Sequence, residues 1–206
     1  MIVERLQVGV LGANCYIVKN ESILECIVID SGGDYNRIID KTKGYSIKGV
    51  LFTHGHFDHI GAGASFKRQG VPLYIGEEDR IMTSSNHNLS KMAGIEIEKF
   101  ACDFSFKDGD MLNLAGFNIK CILIGGHSLG SYCFLIDNYL FSGDTLFCGS
   151  VGRTDFPNGS FSTLINNVKN KLLCLDGDTI VLSGHDEQTT IEEEKLYNPF
   201  LNGYED

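Results

Sequence analysis

Four ligand-capable side chains stand within six residues at His54-x-His56-x-Asp58-His59. Neutral imidazole and carboxylate are the groups that hold zinc and related borderline cations. Two histidines one residue apart in an extended turn can point at one ion. Asp58 and His59, further along the turn, can serve a second ion nearby, because one ion does not readily take all four groups from so short a segment. Three further candidates sit beside glycine: His127 in GGHS, Asp144 in SGDT and His185 in SGHD. Glycine permits close backbone approach, and a carboxylate such as Asp144 can bridge two cations. The chemistry this set suggests is hydrolysis by a metal-activated water. The sixth histidine, His87 in the polar stretch TSSNHNLS, lacks such surroundings and reads as a surface residue.

Polar ligands of this kind need strands to bring them to one edge. Strands are expected at 2–10, about 14–19 and Glu25 to Asp30, followed by a Ser31-Gly32-Gly33 turn and a helix from Asp34 to Lys43 with Asp34 as N-cap. A short apolar strand, Ile47 to Thr53, runs directly into His54. Residues 59–69 read as a helix, Pro72 to Ile75 as a strand and Glu77 to Met82 as a helix. The irregular 83–100 segment is either a lid near a site or a plain connection. Strands resume at about 110–114, 117–124, 131–137 and 139–142. Phe161 to Leu175 has helical spacing behind the N-cap Ser160, Asp178 to Leu182 is a last strand, and 189–196 is a helix. His54, His127, Asp144 and His185 each follow an apolar strand. Two groups of strands interleaved with helices imply two sheets packed face to face with helices outside. No linker or low-complexity tract divides residues 1–206, so a single domain is expected.

With 43% hydrophobic and 21% charged residues, the 206-residue chain can bury a substantial core. It has no run of eighteen apolar residues, and its N-terminus does not read as a signal peptide. A net charge of −10 without a basic stripe argues against nucleic acid as a partner. The seven cysteines show no CxxC spacing and sit mostly in apolar runs, as expected of reduced, buried thiols in a cytoplasmic protein.

THGHFDH, followed by GGHSLGS, SGDTLF and a late GH, resembles the metallo-β-lactamase superfamily over essentially the whole chain. The resemblance implies an α+β fold, the four-layer αββα sandwich. It implies that His54, His56 and His127 bind one metal, that Asp58, His59 and His185 bind a second, and that Asp144 bridges them. Asp58 and Asp144 are then the candidate catalytic carboxylates, and the cofactors two divalent ions, zinc foremost, with iron or manganese as alternatives. Asp30 occupies a position where the family often places an acid that accepts a hydrogen bond from a metal-bound imidazole; a turn-forming role is the other reading.

SGDTLFCGSVGRTDFPNGS and HDEQTTIEEEKLYNPFL look like the short glyoxalase II-like hydrolases of the hydroxyacylglutathione hydrolase group. Two departures stand out. Asp186 and Glu187 follow the late histidine where Gly and often Pro are usual, and the helical domain that supplies glutathione contacts in longer relatives does not follow Phe200. Arg153-Thr154-Asp155-Phe156 also resembles persulfide dioxygenases, single-iron enzymes on this fold. Arg153 either anchors a substrate carboxylate or pairs with Asp155.

The expected reaction is attack on a small-molecule thioester, such as an S-lactoylglutathione-type substrate, by a metal-bridged hydroxide. A thiol of pKa about 8.5 leaves as thiolate without an acid, whereas amide and phosphodiester cleavage more often needs one. The alternatives are a mononuclear iron persulfide dioxygenase and a metal-binding regulatory protein without turnover. No membrane partner is expected, and the oligomeric state is open.

Overall fold

The computed structural model describes residues 1–203 and has the αββα architecture. The first sheet takes its six strands in chain order: β1 (Ile2–Val8), β2 (Ala13–Asn20), β3 (Glu25–Ile29), β4 (Ser46–Phe52), β5 (Leu73–Gly76) and β6 (Phe104–Phe106). β1 to β3 form an antiparallel meander, and β3 to β6 are parallel. β7 (Met111–Leu114), β8 (Phe117–Leu123), β9 (Tyr132–Ile136), β10 (Tyr139–Gly143), β13 (Ile180–Ser183) and β14 (Thr189–Thr190) build the second sheet, in the order β14-β13-β10-β9-β8-β7. A small hairpin, β11 (Leu146–Phe147) with β12 (Ser150–Val151), leads away from Asp144.

Three apolar layers hold these elements together. Between the sheets, the faces carrying Ile27, Ile29, Leu51, Phe134 and Phe141 meet in one cluster. On the outer face of the first sheet, Val28, Val50 and Phe52 pack under α1 (Tyr35–Lys41) and α3 (Gly63–Arg68), which contribute Ile38 and Phe66. On the far side, Cys133, Leu140 and Val181 lie beneath α5 (Phe161–Asn167) and α6 (Ile191–Tyr197), through Leu164 and Ile191. β3 is buried along nearly its whole length because both of its faces are covered, so its sequence is continuously apolar rather than alternating.

The topology brings strand ends together. β3 and β4 are parallel neighbours, so their C-terminal ends deliver Asp30 and Thr53 side by side. In the other sheet β10 and β13 are parallel neighbours, and their ends deliver Asp144 and His185. Bonds across the sandwich pin this edge: Tyr132 N donates to Thr53 O (2.8 Å), and Tyr16 Oη donates to Ser183 O (2.7 Å).

Several local expectations need correction. Asp34 precedes α1, but its φ of 49° is left-handed and its side chain caps no helix amide. Its carboxylate instead accepts from Gly9 N and Arg37 Nη1, both at 3.1 Å, tying the β1–β2 turn to the helix. The helix expected over 59–69 is broken into α2 (Phe57–Ile60) and α3, and that over 77–82 begins as a 3₁₀ turn, Glu77–Asp79, before α4 (Arg80–Ser84). β6 and the β11–β12 hairpin lie outside the expected strands. Ser160 does cap α5, accepting from Thr163 N at 3.3 Å, and the helix continues through a π-helical stretch at Val168–Leu172. No helix among the described residues is long and apolar enough to cross a membrane.

Candidate metal centre

The seven expected ligands converge at one edge of the sandwich. His54 leaves the end of β4, His56 precedes α2, and Asp58 and His59 lie on α2. His127 follows β8, while Asp144 and His185 follow β10 and β13. Their donor atoms fall into three groups, each within 4.8 Å: His54 with His56 and His127, His54 with His59 and Asp144, and Asp58 with His59 and His185. Asp144 stands between the outer two, with Oδ1 3.3 Å from His59 Nε2 and Oδ2 3.6 Å from His127 Nε2 and 3.8 Å from His185 Nε2.

Hydrogen bonds on the far side of three of the rings set their tautomers. Asp30, left-handed at φ 56° and almost fully buried, accepts three bonds: from Thr53 N (2.8 Å), Thr53 Oγ1 (2.7 Å) and His59 Nδ1 (2.9 Å). With its own proton given to Asp30, Thr53 Oγ1 accepts from His54 Nδ1 at 3.1 Å. The backbone carbonyl of Arg153 accepts from His127 Nδ1 at 2.8 Å. Each of these three imidazoles, when neutral, therefore turns an unprotonated Nε2 towards the centre. His54 Nε2, His59 Nε2 and Asp144 Oδ1 are buried and make no hydrogen bond. His127 Nε2 and His56 Nδ1 face each other at 2.9 Å.

This arrangement fits cations. Buried polar atoms are normally satisfied, and lone pairs converging without donors are what a metal ion would satisfy. Burial, with neighbouring histidines, pushes His54 well below its usual pKa and His56 down to about 3, so both rings stay neutral as ligation requires. Burial also opposes charge on His59, but Asp144, Asp58 and Asp30 outweigh it and hold its pKa well above the ordinary value. Three carboxylates around one buried ring make a locus that calls for positive charge.

Close backbone approach completes the centre. A Cβ on Gly184 would lie 2.3 Å from Asp144 Oδ1 and 2.7 Å from His59 Cε1, so only glycine leaves room before His185. A Cβ on Gly32 would lie 1.6 Å from the carbonyl oxygen of Asp58, which explains the glycine in the turn after Asp30.

The remaining candidates lie around a cleft of about 640 Å³. Leu11, Phe57, Leu89, Met92 and Phe156 give it apolar walls, and Arg153 and Asp186 also line it. The guanidinium of Arg153 makes two 2.7 Å bonds to Asp155 and stacks 4.2 Å from the Phe156 ring. The Asp155 pairing is thus the one seen, while the backbone of Arg153 orients His127. Glu187 turns outward to Arg5 (3.1 Å). His87 is exposed, beside Ser85, and lines a smaller adjoining cavity. The 83–100 segment is more than a connection: Asn88 O accepts from Phe57 N (2.9 Å), seating Leu89 and Met92 at the cleft. Three features leave little trace in the sequence. Thr53 shows only as the residue before His54. Arg153 acts through its main chain, which has no sequence signal. Asp79 lies in a short acidic run that resembles an ordinary helix start.

Residues 8–185 match the family model described as the metallo-beta-lactamase superfamily. The chain belongs to that superfamily. It is 36% identical to the hydroxyacylglutathione hydrolase GloC of Haemophilus influenzae over 98% of this chain and 99% of that protein. Among solved structures, the BLEG-1 B3 metallo-beta-lactamase superposes with a TM-score of 0.92 at 33% identity, covering 98% of this chain and 100% of that one. The protein TTHA1623, solved in a di-iron-bound form, gives 0.86 at 32% identity over 97% and 100%. As a metallo-hydrolase of this superfamily the chain is an enzyme. The superfamily binds divalent metals, and the His and Asp clusters are in place for them.

Proposed function

We propose that residues 1–206 form a dinuclear metal-dependent hydrolase that cleaves small-molecule thioesters of the S-lactoylglutathione type. His54, His56 and His127 would hold one ion, Asp58, His59 and His185 the other, and Asp144 both, with zinc as the metal. When bound, such ions supply Lewis acidity and bring the pKa of water from 15.7 to about 7.

The observation that carries the thioester reading is the absence of a spare acid. Every titratable side chain lining the cleft, among the described residues, belongs to the ligand set except Arg153 and Asp186. Arg153 does not surrender a proton and is engaged by Asp155, and Asp186 is an exposed carboxylate. A leaving atom there must depart without a donor, which suits a thiolate far better than an amine or alkoxide. The resemblance to GloC supports the same substrate class.

The chain's own groups then have defined tasks. Asp30 and the Arg153 carbonyl hold protons on His59 Nδ1 and His127 Nδ1, fixing which nitrogen faces the cleft. Asp58 and Asp144 present carboxylate oxygens that can orient an attacking water. Phe57, Leu89, Met92 and Phe156 reduce competing solvent around the carbonyl. All seven cysteines are free, five of them buried, which fits a reducing, cytoplasmic setting. The net charge of −10 disfavours nucleic acid as a partner.

Paired assays test the proposal. Metal-loaded protein is expected to hydrolyse S-D-lactoylglutathione and to take up no oxygen with glutathione persulfide. Oxygen uptake by a protein carrying one iron, with no thioester hydrolysis, would overturn it.

A further inference from the structure

Asp79 closes the 3₁₀ turn after β5 and is 1% exposed. Its carboxylate makes no salt bridge among the described residues. Its oxygens are filled by three donors instead: Gly55 N at 2.9 Å, Ser128 Oγ at 2.6 Å and Gly130 N at 2.8 Å. Gly55 lies between His54 and His56, while Ser128 and Gly130 follow His127. One buried carboxylate therefore fastens together the two loops that carry His54, His56 and His127. It bonds to nothing on α2 and nothing beyond β13, the elements that carry Asp58, His59 and His185.

The fit on the other side is equally close. A Cβ on Gly130 would lie 2.8 Å from Asp79 Cγ, so glycine there is what lets the loop amide reach the carboxylate. Ser128 is itself held: its N–H donates to Ser131 Oγ at 2.9 Å and, with its own proton given to Asp79, its Oγ accepts from Ser131 Oγ at 2.8 Å, closing a small ring in the His127 loop. A buried carboxyl group retained with only main-chain and hydroxyl donors is expensive to keep. It is explicable where its bonds set a geometry.

We infer that Asp79 is a positioning residue for the ion held by His54, His56 and His127 and not for the ion held by Asp58, His59 and His185. It complements Asp30, which bonds His59 directly and reaches His54 through Thr53. The inference rests on the ligand grouping proposed above, because site selectivity has meaning only if there are two sites.

The test is cobalt(II) binding to metal-free protein, read by the visible ligand-field spectrum and by chelator competition, with near-UV circular dichroism reporting the fold. His185→Ala isolates the first site and His127→Ala the second. In the His185→Ala background, Asp79→Asn is expected to weaken cobalt binding by about 10- to 100-fold, the range for losing a group that orients a metal ligand, and to alter the spectrum. In the His127→Ala background it is expected to leave affinity within about twofold. Ser128→Ala removes the 2.6 Å bond to Asp79, together with the hydroxyl contact to Ser131, but leaves both amide donors to the carboxylate; it is expected to give a smaller loss at the same ion, which keeps the test open if Asp79→Asn does not fold. Equal weakening at both sites, or no weakening at the first, would overturn the inference. If His127→Ala and His185→Ala, with Asp79 intact, each still bound two ions, the ligand grouping itself would fall, on a readout that does not involve Asp79.

Discussion

Asp30 illustrates how much a single side chain carries at this centre. Its carboxylate receives three buried hydrogen bonds, one of them from the His59 ring. Asn in its place keeps one acceptor and turns an NH₂ against a donor. Asp30→Asn is therefore expected to lower metal affinity by about 10- to 100-fold and to cost the metal-free fold about 1–3 kcal/mol. Chelator competition and urea midpoints measure the two effects. Unchanged metal affinity with an intact fold would show that His59 needs no anchor. Residues of this kind differ in how far they can be read ahead of the structure. The spacing of His54, His56, Asp58 and His59 is visible because chemistry is packed into six neighbouring positions. Asp79 is invisible, since its role comes from donors at Gly55, Ser128 and Gly130, and the last two lie about fifty residues away.

At the level of elements, long strands with apolar runs announce themselves, and β2, β3, β4, β8 and β10 lie close to where periodicity puts them. Short pieces do not. β6 has three residues, and β11 and β12 have two each, too few to show a period. α2 is likewise a four-residue turn, too short to show a helical period. The turn before β7 is fixed by Asp108, which accepts from Leu123 N (2.9 Å) and from Lys171 Nζ (2.7 Å) beyond α5. Burial works to raise the Asp108 pKa, but these two bonds outweigh it and the pKa is lowered. A depressed carboxylate stabilises the fold above its unfolded value, about 3.9, and loses that contribution as pH falls through its folded value. Because both partners are partly exposed, the effect should be only about 0.2–1 kcal/mol. Metal-free Asp108→Asn is thus expected to be less stable than the parent by that amount at pH 7, with the difference shrinking as pH falls below about 3.9, by urea midpoints. A difference that persists at low pH would show that the ionised form contributes nothing.

For the whole molecule, the two sheets serve as jigs whose parallel strand ends place acids and imidazoles on one edge. That architecture was legible because ligands recur after apolar strands. The substrate was less so, since the cleft walls come from distant segments such as Leu11, Met92 and Phe156, whose convergence no local pattern encodes. The central claim is that seven side chains hold two ions and that both serve thioester hydrolysis. Stepwise addition of zinc to metal-free protein, with the initial rate of S-D-lactoylglutathione hydrolysis followed at each step, tests it most directly. The rate is expected to reach its plateau only at two equivalents. A plateau at one equivalent, or no thioester hydrolysis at any loading, would contradict it.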